Sequence, residues 1–383
     1  MLTRIRTPCA VPAQRRHRNR TSGPEGPLRP SRGRPQIGAV AESAEAPAAP
    51  LPLPRAPERI VELGSPVFGA WAGSVPDARF DGLNEEYPRG TVARRLVEKR
   101  WVYVLVPTRE VMLAMALVDA GYLSSGFCAV LDRGSGKLLF DSSPVLPPLC
   151  ARVSDVPGDG LSARLAGPRI KARIERSGGR ILVEARWMSA AVDVVLDARK
   201  APPPLSVCSR IDTGRFNFTQ KLTAVPAEGE IRAGNARFAV QGDLAGMDFT
   251  HGFPARETRW RWAFGSGKAM GRTVAFNLSE GFLPGSPESA VWVDGPPCGA
   301  GPVHFEGDFS DRDAPWHIRS ADGGLDLVFT PEGRRAQNID LKLVASRYVQ
   351  PFGTFRGHLT AASGERIEVE GLPGVTEEHS ARW

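Results

Sequence analysis

The feature that constrains this chain most is a strict alternation of apolar and charged residues over Arg169-Ile170-Lys171-Ala172-Arg173-Ile174-Glu175. Successive side chains of a strand point to opposite faces, so this pattern buries Ile170, Ala172 and Ile174 together and leaves the charges in water. On a helix the same residues would be scattered around the axis. Ser177-Gly178-Gly179-Arg180 supplies a turn, and Ile181 to Trp187 alternates back, which predicts a β-hairpin. Period-two segments of the same kind recur from Trp101–Val106 to Arg366–Glu370, with Gly and Pro at nearly every junction. Helical patterning is confined to Thr91–Lys99 and to Thr376–Arg382 at the end.

Roughly twenty short strands exceed what one small barrel needs. Phe127 to Lys137 and Trp260 to Lys268 both read as a strand followed by Gly-Ser-Gly-Lys. That echo favours two lobes, each Gly-Ser-Gly forming a hairpin tip. The expected class is all-β, with two packed antiparallel barrel or sandwich lobes and little helix. The expected division is a disordered Arg/Pro-rich tail over 1–57, an N-terminal lobe over 58–212 and a C-terminal lobe over 213–383.

Charge supports that division. The formal net charge is +7, and residues 1–55 hold ten arginines, no lysine and three acids, so the excess sits in the tail and the rest is balanced. A balanced folded part does not suit nucleic-acid binding. The tail is Pro-, Ala- and Gly-rich, which predicts disorder, with a transit peptide or an over-extended gene start as other readings. No apolar run is long enough to cross a membrane as a helix. Five cysteines, at 9, 128, 150, 208 and 298, form no C-x-x-C. Such scattered thiols predict reduced, buried cysteines in a cytoplasmic protein and no zinc ribbon.

The Gly-Ser-Gly-Lys stretches lack the leading Gly and trailing hydroxyl of a phosphate loop, and no G-x-S-x-G or H-E-x-x-H occurs. The six histidines contain no i, i+4 pair, so no metal and no cofactor is expected. The informative segment is Asp248-Phe-Thr-His251 leading to Thr258-Arg-Trp260-Arg-Trp262. Alternation puts Trp260 and Trp262 on one face. Paired indoles near an Asp and a His suit an apolar ligand with one reactive polar group, Asp248 or His251 moving the proton. Core tryptophans and loop-shaping polar groups are the plainer reading. Arg215 to Lys221 and Thr273 to Ser279 oppose an apolar face with Asn217, Thr219 and Lys221 or with Asn277 and Ser279, as the lining of a wet cavity would. Glu288 and Asp294 flank a strand carrying Trp292, a pairing that would suit glycoside chemistry if the two faced each other. The expected ligand-binding set is Trp260, Trp262, Asn217, Asn277, Glu288 and Trp292, around one pocket of at least ~300 Å³.

Lys99-Arg-Trp101, Asp248-Phe-Thr-His-Gly, Thr258 to Ala263, Phe276-Asn-Leu-Ser-Glu-Gly281, Glu288 to Gly295, Ser346-Arg-Tyr-Val-Gln-Pro-Phe-Gly353 and Gly371 to His379 stand in order along the chain. Together they resemble the bacterial domain-of-unknown-function family 2804, which brings no activity and no catalytic residue with it. A fainter likeness runs to the two-lobed lipocalin-like group of carotenoid hydratases, tocopherol cyclase and natural-product cyclases. That likeness implies lipocalin-like lobes. Trp260-Arg261-Trp262 departs from the group's Trp-Met/Phe-Asp pattern by lacking the Asp. The expected function is binding of a lipid- or isoprenoid-like small molecule, with cofactor-free hydration, isomerisation or cyclisation if it is an enzyme. A non-catalytic carrier, or a carbohydrate-active β-sandwich using Glu288 and Asp294, are the alternatives. Oligomeric state is left open.

Overall fold

The structure is a computed structural model that describes residues 52–285, 287–311, 313–340, 342 and 344–383. The Arg/Pro-rich tail therefore lies outside the described residues except for 52–57, and those six belong to the fold. Pro52 bridges Cys298, the Pro54 carbonyl accepts from the Ala72 amide at 2.8 Å, and Leu53 packs on the cluster that holds Trp292. The fold thus begins before Glu58.

The alternating segment forms the predicted hairpin. Ile170–Ser177 pairs with Arg180–Trp187 from Ser177↔Arg180 to Ile170↔Trp187, with Ile170, Ala172 and Ile174 buried. It belongs to the first of two large antiparallel sheets. Along the part of that sheet that bears on the site the order is Lys137–Ser142, Ser124–Asp132, Val111–Asp119, Lys99–Pro107, Ala236–Gly252 and Arg215–Ala233. In the second sheet Arg272–Glu280, Glu257–Ala269, Arg366–Arg382, Ala345–Thr360 and Leu325–Asp340 lie side by side. Each sheet curls around its own apolar core. The fold is the all-β, two-lobed, lipocalin-like class that the pattern predicts. Helix among the described residues is limited to Thr91–Val97 and a single 3-10 turn at Ala198–Lys200.

Three local expectations are corrected. The chain passes from the first sheet to the second between Gly252 and Glu257, not near 212. Arg215–Ala233 and Ala236–Gly252 are long strands of the first sheet, so the second lobe starts some forty residues later than expected. Thr376–Arg382 is strand, not helix. It is hydrogen-bonded on one side to Glu257–Ala263 and on the other to Ala345–Val349, and two-sided pairing overrides the helix preference of Glu377 and Glu378. The second Gly-Ser-Gly-Lys lies inside the Glu257–Ala269 strand. The turn comes at Met270 and Gly271, both at positive φ.

A third cluster lies between the sheets. Tyr103, Leu105, Met112, Ala114 and Leu131 of the first meet Trp262, Phe264, Phe352 and Val375 of the second. Close approach depends on Gly246, where an added Cβ would stand 2.0 Å from the Phe264 ring. At one edge Arg133 makes two hydrogen bonds to Glu332, at 2.9 and 2.8 Å. These contacts fix the sheets face to face, and the inner faces enclose the site.

Candidate functional site

A cavity of about 180 Å³ opens between the two inner faces. That is smaller than the expected ~300 Å³ pocket and has room for a small molecule or one end of a larger one. The first sheet contributes Trp101, Tyr103, Phe127, Lys221 and Asp248. The second contributes Trp260, Trp262, Arg335, Tyr348, Glu377 and His379. Phe282 and Trp383 complete an aromatic rim, with Trp101 stacked on Trp383 at 6.2 Å and Trp260 edge-on to Phe282 at 5.1 Å.

One wall is a buried carboxyl with its donors. Trp260↔His379 and Trp262↔Glu377 are directly paired residues, as are Tyr348 and His379 on the other side, so all five side chains share one face. Glu377 Oε1 accepts from Trp260 Nε1 at 2.8 Å. Its Oε2 accepts from the Tyr348 hydroxyl at 2.8 Å and from Gln350 Nε2 at 3.3 Å. Burial pushes the Glu377 carboxyl up to about 7, against the pull of the Tyr348 and Trp260 hydrogen bonds. His379 is pushed down to about 3 by burial and by the Arg335 charge, so its imidazole is neutral at pH 7. Its Nε2 meets Ser346 Oγ at 2.9 Å.

The opposite wall is ionic. Lys221 Nζ donates to Asp248 Oδ1 at 2.8 Å and lies 3.1 Å from Glu288 Oε2, with all three side chains largely buried. Burial works against the ammonium, but the two carboxylates outweigh it and lift Lys221 above the ordinary lysine value. Asp248 also accepts from Thr219 Oγ1 at 3.0 Å and Trp101 Nε1 at 3.2 Å. The lysine amine occupies the place between Asp248 and Glu288. Among the described residues no three His, Cys, Asp or Glu side chains cluster as metal ligands.

The expected site residues divide accordingly. Asp248, Trp260, Trp262 and Glu288 line the cavity. Asn277 stands behind it, accepting from Trp262 Nε1 at 2.8 Å and donating to the Glu288 carbonyl at 2.7 Å, and so orients both. His251 does not reach it. Asp248 and His251 lie on a strand, not in a loop, and three positions apart they face opposite ways. His251 is stacked on Phe80 with centroids 3.6 Å apart, and its Nε2 meets Glu98 Oε1 at 2.6 Å. Arg94 and Arg100 also grip Glu98, which stays ionised, while burial pushes His251 down to about 4. Asn217 is buried on the Lys221 face of its strand but outside the cavity lining. Trp292 is core, its Nε1 donating to the Pro203 carbonyl at 2.9 Å. Asp294 is exposed, bound to Arg272 and the Thr273 amide, so it does not share the cavity with Glu288.

The sequence matches the family described as "Domain of unknown function (DUF2804)" over residues 65–383. This chain belongs to the DUF2804 family. No curated relative matches the sequence. Among solved structures the DUF2804 chain is similar to CghA with Sch210972, at 11% identity over 75% of this chain and 89% of that one, TM-score 0.48. It is similar also to kievitone hydratase from Nectria haematococca, at 10% identity over 88% and 98%, TM-score 0.46. A putative AttH from Nitrosomonas europaea matches at 12% identity over 74% and 92%, TM-score 0.45.

Sequence reasoning missed Glu377, His379, Tyr348, Arg335 and Gln350. Tyr348 and Gln350 lie in the Ser346–Gly353 stretch of the family resemblance, and Glu377 and His379 in the closing one. The available signal was periodicity. Read as a strand, Val375-Thr-Glu377-Glu-His379-Ser-Ala381 puts Glu377 and His379 on the face of Val375 and Ala381. Reading that stretch as helix concealed it. Arg335 gave no such signal, because Arg334-Arg335 resembles an ordinary surface pair.

Proposed function

We propose that the cavity binds a small, largely apolar molecule and moves a proton on it, with Glu377 as the acid and base. The observation that carries this reading is the Glu377 carboxyl, buried in an aromatic wall between Trp260 Nε1 and the Tyr348 hydroxyl with its titration near neutral pH. A group poised there both gives and takes a proton at pH 7. Trp101, Trp260 and Trp262 cover the apolar body and face any cation that develops. Across the cavity Lys221 stands between Asp248 and Glu288, one more carboxylate than ammonium, and the Asp248 charge adds to the hold of Glu377 on its proton. The reaction class is hydration, isomerisation or cyclisation using the side chains alone, and Glu377 takes the role first expected of Asp248 or His251.

Proton transfer is tested by hydrogen exchange. Apolar carbonyl compounds, alkenes and phenols are incubated with the full chain in D₂O and read by mass spectrometry. Deuterium should enter at carbon in at least one class, and Glu377→Gln should lose that incorporation while remaining folded. Binding without incorporation in any class would leave a carrier.

A further inference from the structure

Among the described residues of the cavity wall, Arg335 is the cation that the proton-transfer reading leaves unused. Its side chain is 1% exposed. The guanidinium carbon lies 3.9 Å from the Phe127 ring centroid and 4.9 Å from that of Tyr348, two rings that are themselves neighbours at 5.7 Å, so it is seated in the corner they form. One edge of the fork is spent on the first sheet: Nε donates to Asp141 Oδ1 at 3.2 Å and Nη2 to Ser143 Oγ at 2.5 Å. Nη1 is buried and has no hydrogen-bond partner. A buried guanidinium N–H left unpaired is costly, because burial strips its water and nothing replaces it. Asp141 offsets part of the charge but engages only the other edge.

Arg335 and Glu377 are linked through one residue. Tyr348 gives its hydroxyl to Glu377 Oε2 and its ring to the guanidinium. The proton-moving carboxyl and the unpaired donor thus flank a single tyrosine on one wall.

We propose that Arg335 Nη1 is an oxyanion anchor, and that the cavity takes an apolar molecule carrying a carbonyl or phenolic oxygen. This rests on the proton-transfer reading and narrows its substrate class. The step it implies is balanced within the site. The Glu377 carboxylate takes a proton from the carbon next to the carbonyl, and the C–H electron pair becomes a C=C bond. The carbonyl π pair moves onto oxygen, where Nη1 receives the enolate charge. On a β,γ-unsaturated carbonyl Glu377 then returns the proton at the γ-carbon, the enolate pair re-forms the carbonyl and the C=C shifts into conjugation, giving an isomer with no co-reactant consumed. Fixed donors aimed at a developing oxyanion in a water-poor site are the main source of such stabilisation.

The probe is 2-naphthol, whose fluorescence separates naphthol from naphtholate, with naphthalene as its neutral counterpart. Bound to the full chain, 2-naphthol should ionise at lower pH than in water. Arg335→Met keeps a flexible apolar stem against Phe127 and Tyr348 and removes the donor. It should weaken naphtholate about 10–100-fold and leave naphthalene binding unchanged. A bound naphthol that ionises no more readily than in water overturns the proposal from the natural chain alone, whether or not the variant folds. Equal losses for naphthalene and naphtholate, or no loss for either, also overturn it while the apolar cavity stands. Failure of the natural chain to bind either probe removes the parent reading as well.

Discussion

Trp260 and Glu377 lie on adjacent strands of the second sheet, two residues apart in register and so diagonal on one face, and the indole Nε1 donates to the carboxyl Oε1 at 2.8 Å. A side chain that would otherwise only fill apolar space therefore fixes the orientation of a buried acid. The same indole stands edge-on to His379, with ring centroids 4.3 Å apart. Carboxyl, imidazole and indole thus form one continuous piece of the cavity wall.

The raised Glu377 titration has a stability consequence with a definite sign. The carboxyl titrates near 4.5 unfolded and near 7 folded, so the folded state holds its proton more tightly. Its contribution is complete below 4.5, falls as pH rises through 7 and is flat above. The span corresponds to about 3 kcal/mol. Denaturant unfolding at pH 5 and pH 8 should show that fall in the natural chain relative to Glu377→Gln. Parallel pH profiles for the two proteins would refute it.

Lys221→Met leaves Asp248 and Glu288 facing each other without the cation between them. Breaking a buried ion cluster by removing one partner costs about 3–5 kcal/mol. Because the loss arises from two unpaired carboxylates, part of it should return when Asp248→Asn is added to Lys221→Met. The check is the denaturation midpoint of the single and double variants at one pH. A double variant no more stable than the single one would mean that lost packing, not charge, is the cause.

His251 stabilises the fold and has no access to the cavity. Removing its ring in His251→Ala deletes the stack on Phe80 and strips Glu98 of a hydrogen bond. Unfolding free energy should fall by about 2–4 kcal/mol. Naphthalene binding, measured where both proteins are folded, should stay the same. Loss of binding with stability intact would return His251 to the site.

The segment just before Glu58 also packs. A chain begun at Leu51 keeps the Pro54 to Ala72 hydrogen bond and the seating of Leu53 beside Trp292, and one begun at Glu58 loses both. The shorter chain should be less stable by about 1–3 kcal/mol. Identical denaturation midpoints would place the start of the fold at Glu58.

The sequence alone determined the β-class and much of the wall. Alternation over Arg169–Glu175 requires a half-buried strand because side-chain direction in an extended chain is purely local. The same rule put Trp260 beside Trp262, and Lys221 and Thr219 opposite Phe216 and Phe218. It also separates Asp248 from His251, once the two are known to lie on one strand. Tertiary structure decided what alternation cannot: which strands become neighbours and which faces turn inward. Glu377 reaches Trp260 through pairing of strands far apart in the chain, and Tyr348 reaches both Glu377 and Arg335 through pairing of three successive ones. The cavity itself exists because two sheets close on Gly246 and Phe264. Sheet-to-sheet packing and the loss of water inside it turn an ordinary glutamate into an acid poised at neutral pH. That burial is a property of the assembled layers, and no local run of residues encodes it.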